Sequence, residues 1–155
     1  MVRALLRAVR VDLQTNTPVL LLQETDGEGR TLPIFIGNPE ATAIAYAIQG
    51  VEMPRPLTHD LIGSILVGLG TKLERIVIND ERDKTFYARI LLSMTNELGT
   101  KIVEIDARPS DSIVLSLQQK RPIYVARAVF DAAEDRTDVL EQWRKQQEEG
   151  GSDEP

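Results

Sequence analysis

Residues 101–126 run strand, helix, strand with hardly a joint between them. Lys101 to Asp106 has the alternation of a strand, Pro109 to about Lys120 has helical spacing, and Pro122 to Ala126 returns as an apolar strand. A crossover of this kind makes its two strands parallel wherever they share a sheet. Elsewhere strand-like runs are joined by short polar turns. Residues 18–24 and 31–36 flank Asp26-Gly27-Glu28-Gly29-Arg30, and residues 72–79 and 85–95 flank Asp80-Glu81-Arg82-Asp83-Lys84, so each pair reads as an antiparallel hairpin. Parallel and antiparallel pairings in one chain require a mixed sheet, which places the fold in the α/β (α+β) class.

Two more helices are legible. Gly37-Asn38-Pro39-Glu40 supplies a cap, a proline at the first helical position and a first-turn acid, and the helix runs to about Gln49 with Gly50 as its stop. Another runs from about His59 to Leu69 and is stopped by Gly70. Residues 2–13 alternate as a strand whose wet face would carry Arg3 and Arg7. With 155 residues and 42% hydrophobic content the chain can bury one core, so a single domain with three main helices is expected.

Charge is divided unevenly. Residues 131–155 hold nine acids against Arg136, Arg144 and Lys145, a balance of −6 that equals the net charge of the whole chain. The domain, residues 1–131, is therefore close to neutral, and residues 132–155 read as an acidic tail, helical around Val139 to Gln147 with Trp143 on its apolar side and disordered at its end. A neutral domain lacks the footprint of a tight, salt-sensitive DNA binder, so any nucleic acid is expected as a local, transient substrate. Cysteine is absent, which excludes a thiolate nucleophile and cysteine-ligated metals. Arg3, Arg7 and Arg10 interrupt the N-terminal apolar residues, and no stretch approaches the ~20 apolar residues of a membrane span, so a cytoplasmic protein without membrane contact is expected.

Chemistry concentrates in two segments that nearly repeat each other: Arg55-Pro56-Leu57-Thr58-His59-Asp60 and Arg108-Pro109-Ser110-Asp111. Each sets arginine, proline, hydroxyl and aspartate before an apolar helical run, where free backbone N–H groups and the helix dipole favour an anion. Thr58 and Ser110 read as helix caps that could also contact a phosphate. Arg55 and Arg108 stand at the end of the helix where the dipole disfavours them, and so are candidates for bidentate phosphate contacts or for pairing with a motif aspartate. His59, the only histidine, is the natural proton-transfer group, and a two-histidine ribonuclease mechanism is excluded. Asp60, Asp106, Asp111 and Glu40 are the carboxylates that could hold Mg²⁺ or Mn²⁺, although first-turn acids serve equally well as dipole partners.

Several of these strings carry a resemblance. LPIFIGNPEATAIAYAIQG (32–50), PRPLTHDL (54–61), FYARI (86–90), IDARPSDSIVLSL (105–117) and PIYVARAVF (122–130) resemble the bifunctional nuclease family, over residues 1 to about 131. That bacterial and plant group, formerly a domain of unknown function, has members assigned both DNase and RNase activity. The resemblance implies a homodimer and a broad-specificity, metal-assisted phosphodiester hydrolase. The alternative from another class is a non-catalytic regulatory module that holds a phosphorylated small molecule or a protein partner at the same helix ends. Phe86, Tyr87 and Tyr124 occupy strand positions and read as core or cross-strand partners rather than as platforms for bases. Gly63, Gly68 and Gly70 lack the lysine-hydroxyl ending of a phosphate loop, which leaves an NTPase without support.

Overall fold

A computed structural model of the chain describes residues 1–133 together with Lys145 and Glu149; the helix expected around Val139 to Gln147, Trp143 and the chain end fall outside the described residues. Strand β1 (Val2–Asp12), hairpin β2 (Thr17–Glu24) and β3 (Thr31–Phe35), helices α1 (Asn38–Gln49) and α2 (Thr58–Gly68), strands β4 (Thr71–Arg82), β5 (Thr85–Asn96) and β6 (Gly99–Ala107), helix α3 (Pro109–Gln119), strand β7 (Ile123–Val125) and helix α4 (Arg127–Ala133) follow in order. The strands form one seven-stranded sheet, β3-β2-β1-β7-β4-β5-β6. Only β4 and β7 pair in parallel. Because β4 and β5 lie between them, β6 and β7 point the same way, as the crossover requires.

Both hairpins read from the sequence are present, and β5 and β6 form a third, closed by Asn96 opposite Gly99. Its pairing is hard to see in the sequence because the two-residue Glu97-Leu98 turn carries no strong turn signal of its own. The Leu98 N–H donates to Asn96 Oδ1 at 2.8 Å, and Gly99 takes a φ of 123° that favours glycine. Helix α4 is likewise additional to the three read from the pattern. It is pinned by Arg30, which donates to Glu24 and Asp131 and lies 5.3 Å from the centre of the Phe130 ring. Glu24 is buried, which raises its carboxyl, yet the Arg30 bonds outweigh burial and leave it below the ordinary range.

The four helices within residues 1–133 cover one face of the sheet. The core takes Ala4, Leu20, Leu22, Leu32 and Ile34 from one half of the sheet and Leu73, Ile76, Ile78, Ala88, Ile90 and Leu92 from the other, packed against Ile44, Leu66, Ile113 to Leu115, Val129 and Phe130 of the helices. Three register shifts bend this face, the last of them in β4 between Ile78 and Asp80. In β1 the register shifts between Leu6 and Ala8, and in β4 between Leu73 and Arg75. The first bulge brings Arg10 onto the Arg3 face, opposite Val19, while Arg7 at the bulge donates from Nε to Gln23 Oε1.

Candidate active site

Three helix starts meet at one place, and each carries an acid at its third position: Glu40 in α1, Asp60 in α2 and Asp111 in α3. The sequence motif makes all three equivalent; their partners do not. Asp60 turns back on its own helix, accepting the Leu57 N–H at 2.9 Å, and its other oxygen accepts from Gln118 Nε2 at 3.1 Å. It is a capping residue in direct contact with α3. The hydroxyls expected to cap do not. The N-cap of α2 is Leu57 and that of α3 is Arg108, so Thr58 and Ser110 lie inside their helices, Thr58 exposed and Ser110 buried. In α3 the shift follows from Pro109, which occupies the first helical position and moves the cap back to the arginine.

Asp111 is used differently. Its Oδ1 lies 2.8 Å from His59 Nε2, across 52 residues of chain, and Oδ2 accepts from Arg108 Nε at 2.9 Å. Arg108 Nη1 donates to Glu40 Oε1 at 2.8 Å. The result is a continuous chain, Glu40–Arg108–Asp111–His59, that ties the starts of all three helices together. Glu40 is held by its own backbone N–H first and by Arg108 second, and both keep its carboxyl low. Burial pushes Asp111 up, but hydrogen bonds from Arg108 and His59 outweigh it and hold the group below the aspartate range. Arg108 is in turn held charged by its bonds to Asp111 and Glu40.

An ionised Asp111 only accepts hydrogen bonds, which assigns the proton to His59 Nε2 and leaves the Nδ1 lone pair as the basic atom. Of the four linked residues only His59 lines the cleft of about 1220 Å³ between the helices, whose walls include Tyr46 and Ala47 of α1, Gly63 of α2, and Val114 and Gln118 of α3. Arg108 keeps two guanidinium N–H groups free of these bonds, and its side chain is 63% exposed.

Two expected residues stand apart. Arg55 is exposed in the connection between α1 and α2 and makes no ion pair among the described residues, so of the two motif arginines only Arg108 pairs with a motif aspartate, Asp111, and it also holds Glu40. Asp106 lies opposite Arg89 on the sheet face away from the helices. Asp60, Asp106, Asp111 and Glu40 therefore do not gather, and no group of three acidic or histidine residues forms a cation cage among the described residues. Gly37 was missed as part of this site. A Cβ there would approach Glu40 Oε2 to 2.4 Å, so glycine is what lets the Glu40 carboxylate fold over the helix start while Arg108 holds it.

The bifunctional nuclease domain model matches residues 20–138. The chain belongs to the bifunctional nuclease domain family. It is 46% identical over 125 residues to an uncharacterized protein of Mycobacterium tuberculosis, covering 81% of this chain and 71% of that one. It is 26% identical over 112 residues to "Bifunctional nuclease 2" of Oryza sativa subsp. japonica and 25% identical over 108 residues to "Bifunctional nuclease 1" of Arabidopsis thaliana. Those matches cover 72% and 70% of this chain but only 34% and 33% of the plant proteins.

Proposed function

We propose that this member of the bifunctional nuclease domain family hydrolyses phosphodiester bonds in DNA and RNA. The observation that supports the reading is the Glu40–Arg108–Asp111–His59 chain ending on a cleft-lining imidazole. His59 Nδ1 takes a proton from the attacking water as its oxygen bonds to phosphorus, and the bond to the leaving sugar oxygen breaks, that oxygen taking a proton back. Asp111 positions the ring and stabilises the imidazolium, the role a carboxylate has behind a catalytic histidine elsewhere. The free N–H groups of Arg108 meet the charge that develops on the phosphoryl oxygens. Among the candidate carboxylates Asp60 lines the cleft with His59, whereas Glu40 and Asp111 are engaged by Arg108; dependence on Mg²⁺ or Mn²⁺ is a separate proposal that chelation reads out.

The test is cleavage of single-stranded DNA and RNA by the purified protein, with and without chelator, beside the folded His59→Gln variant. Equal cleavage in wild type and variant would remove His59 from the chemistry, and no cleavage by wild type would overturn the reading and favour a module that binds a phosphorylated ligand without cleaving it.

We further propose that the protein works as a homodimer. Leu57, Leu61, Ile65 and Leu69 recur every four residues along α2 and are 42%, 53%, 50% and 66% exposed, an apolar stripe without a charged residue between Asp60 and Lys72. A second copy offers the same uncharged stripe, which is what a two-fold contact needs. Sedimentation should show a dimer that Leu61→Glu converts to monomer.

A further inference from the structure

The face of the sheet away from the helices is built from a different set of residues. Register places Arg3, Tyr124, Val77, Arg89 and Asp106 in one row across β1, β7, β4, β5 and β6. Arg75 lies in the next row, beside Leu91, and its guanidinium stacks 5.5 Å from the centre of the Tyr124 ring. Arg10 extends the set on β1 and Lys72 on β4. Tyr87, also on this face, is exposed with Arg82 over its ring at 5.3 Å. Of the two roles expected for these aromatics, Tyr87 and Tyr124 take the cross-strand one, while Phe86 packs against the core.

Cations normally cluster only where carboxylates neutralise them, yet Arg3, Arg10, Lys72, Arg75 and Arg89 make no ion pair with any carboxylate among the described residues. The acids near this face are placed at its margins or otherwise engaged. Glu104 and Asp106 stand on the edge strand β6, Asp12 accepts from the Gln14 N–H and Thr15 Oγ1, and Glu74 is held by Ser93 and Arg121. Among the described residues, a chain of net charge −6 therefore keeps a band of cations without ion pairs across β1, β7, β4 and β5, bounded by Asp106 opposite Arg89.

We propose that this band is where a single strand of nucleic acid binds, its phosphates on Arg3, Arg75 and Arg89. Guanidinium groups matched to phosphate oxygens, with aromatic rings beside them, are the chemistry of sequence-tolerant strand binding. From Arg3 to Arg89 the row crosses three strand spacings, about 14 Å, which suits a few nucleotides rather than a long duplex contact. Its far end, Asp106, is two residues before Arg108, so the band approaches the candidate active site at the end of β6. The proposal deepens the nuclease reading and rests on it for the identity of the anion.

Binding of a fluorescent twelve-residue oligothymidylate to the full chain, followed by anisotropy in chelator, tests it without cleavage. Arg3→Gln, Arg75→Gln and Arg89→Gln combined should weaken binding at least tenfold and reduce the slope of log affinity against log salt by about two, since each phosphate contact to a single strand contributes roughly 0.7. The control Lys84→Gln, Lys101→Gln and Arg127→Gln removes equal charge elsewhere and should weaken binding less than threefold. Unchanged binding in the first set, equal losses in both sets, or no binding by wild type would overturn the proposal. So would loss of self-association in the first set with binding kept, which would give the face to a second copy. Arg3→Gln alone, at an exposed position, serves if the combined variant does not fold. His59→Gln should bind the oligonucleotide normally, so failure of the nuclease reading would appear as binding without cleavage.

Discussion

The two sides of the sheet treat arginine in opposite ways. On the helical side Arg30 and Arg108 each hold carboxylates, and Arg108 alone bridges two helix starts. On the open side Arg82 holds Asp80 near the end of β4, but Arg3, Arg75 and Arg89 have no carboxylate partner among the described residues. A paired guanidinium fixes geometry and presents little net charge; an unpaired one contributes a field and a vacant donor set. The paired region is thus suited to hold a histidine in one orientation, and the unpaired region to attract a polyanion.

The largest effect that would sharpen this contrast is on the rate. His59→Gln, which keeps hydrogen-bonding capacity but cannot shuttle a proton at neutral pH, should lower cleavage by about 10²–10⁴ while oligonucleotide binding and thermal stability stay near wild type. Loss of binding in step with loss of rate would break the division between the two faces. Arg108→Lys comes next. It keeps the charge but removes the planar fork that joins Glu40 to Asp111, and should cost roughly 10–100-fold in rate, measured as kcat/KM, with the salt dependence of binding unchanged.

Asp111→Asn should act on stability as well as on rate. Folding holds this carboxyl below its ordinary range, so its stabilisation is present above about pH 4, where the unfolded chain ionises too, and is lost as pH falls through the lower folded value. Wild type should therefore lose stability on acidification below about pH 4, and Asp111→Asn should show a flatter acid limb in denaturant titrations, with a loss of about 0.5–2 kcal/mol at neutral pH. An acid limb identical to wild type would separate Asp111 from the network. The smallest effect belongs to the open face: replacing Arg3, Arg75 and Arg89 should change stability by no more than about 0.5 kcal/mol each, because no buried partner is left behind.

Much of the fold can be read locally. The hairpin turns at Asp26 to Arg30 and Asp80 to Lys84, the proline at the start of α1 and the left-handed Gly50 that ends it depend on residues within a few positions, and the structure shows them as the pattern implies. The break between residues 95 and 101 is legible, but the pairing of β5 with β6 across it escapes, because the two-residue Glu97-Leu98 turn carries no strong turn signal of its own. The caps escape for a related reason: Thr58 and Ser110 have the right chemistry, but Pro109 and the Asp60 carboxylate move the helix starts one or two residues earlier.

By itself the sequence determined a mixed sheet, three helix starts each marked by an acid, and a histidine inside one of them, since backbone propensity and capping act over three or four residues. It left Asp60 and Asp111 indistinguishable. Only the tertiary structure decided that Asp60 caps its own helix while Asp111 reaches His59 across 52 residues and Arg108 reaches Glu40 across 68, because the crossover from β6 to β7 lays α3 beside α1 and α2. It also decided which side of the sheet each arginine occupies. A single bulged residue reverses the alternation along a strand, so Arg10 joins Arg3, and Arg75 comes to lie over Tyr124.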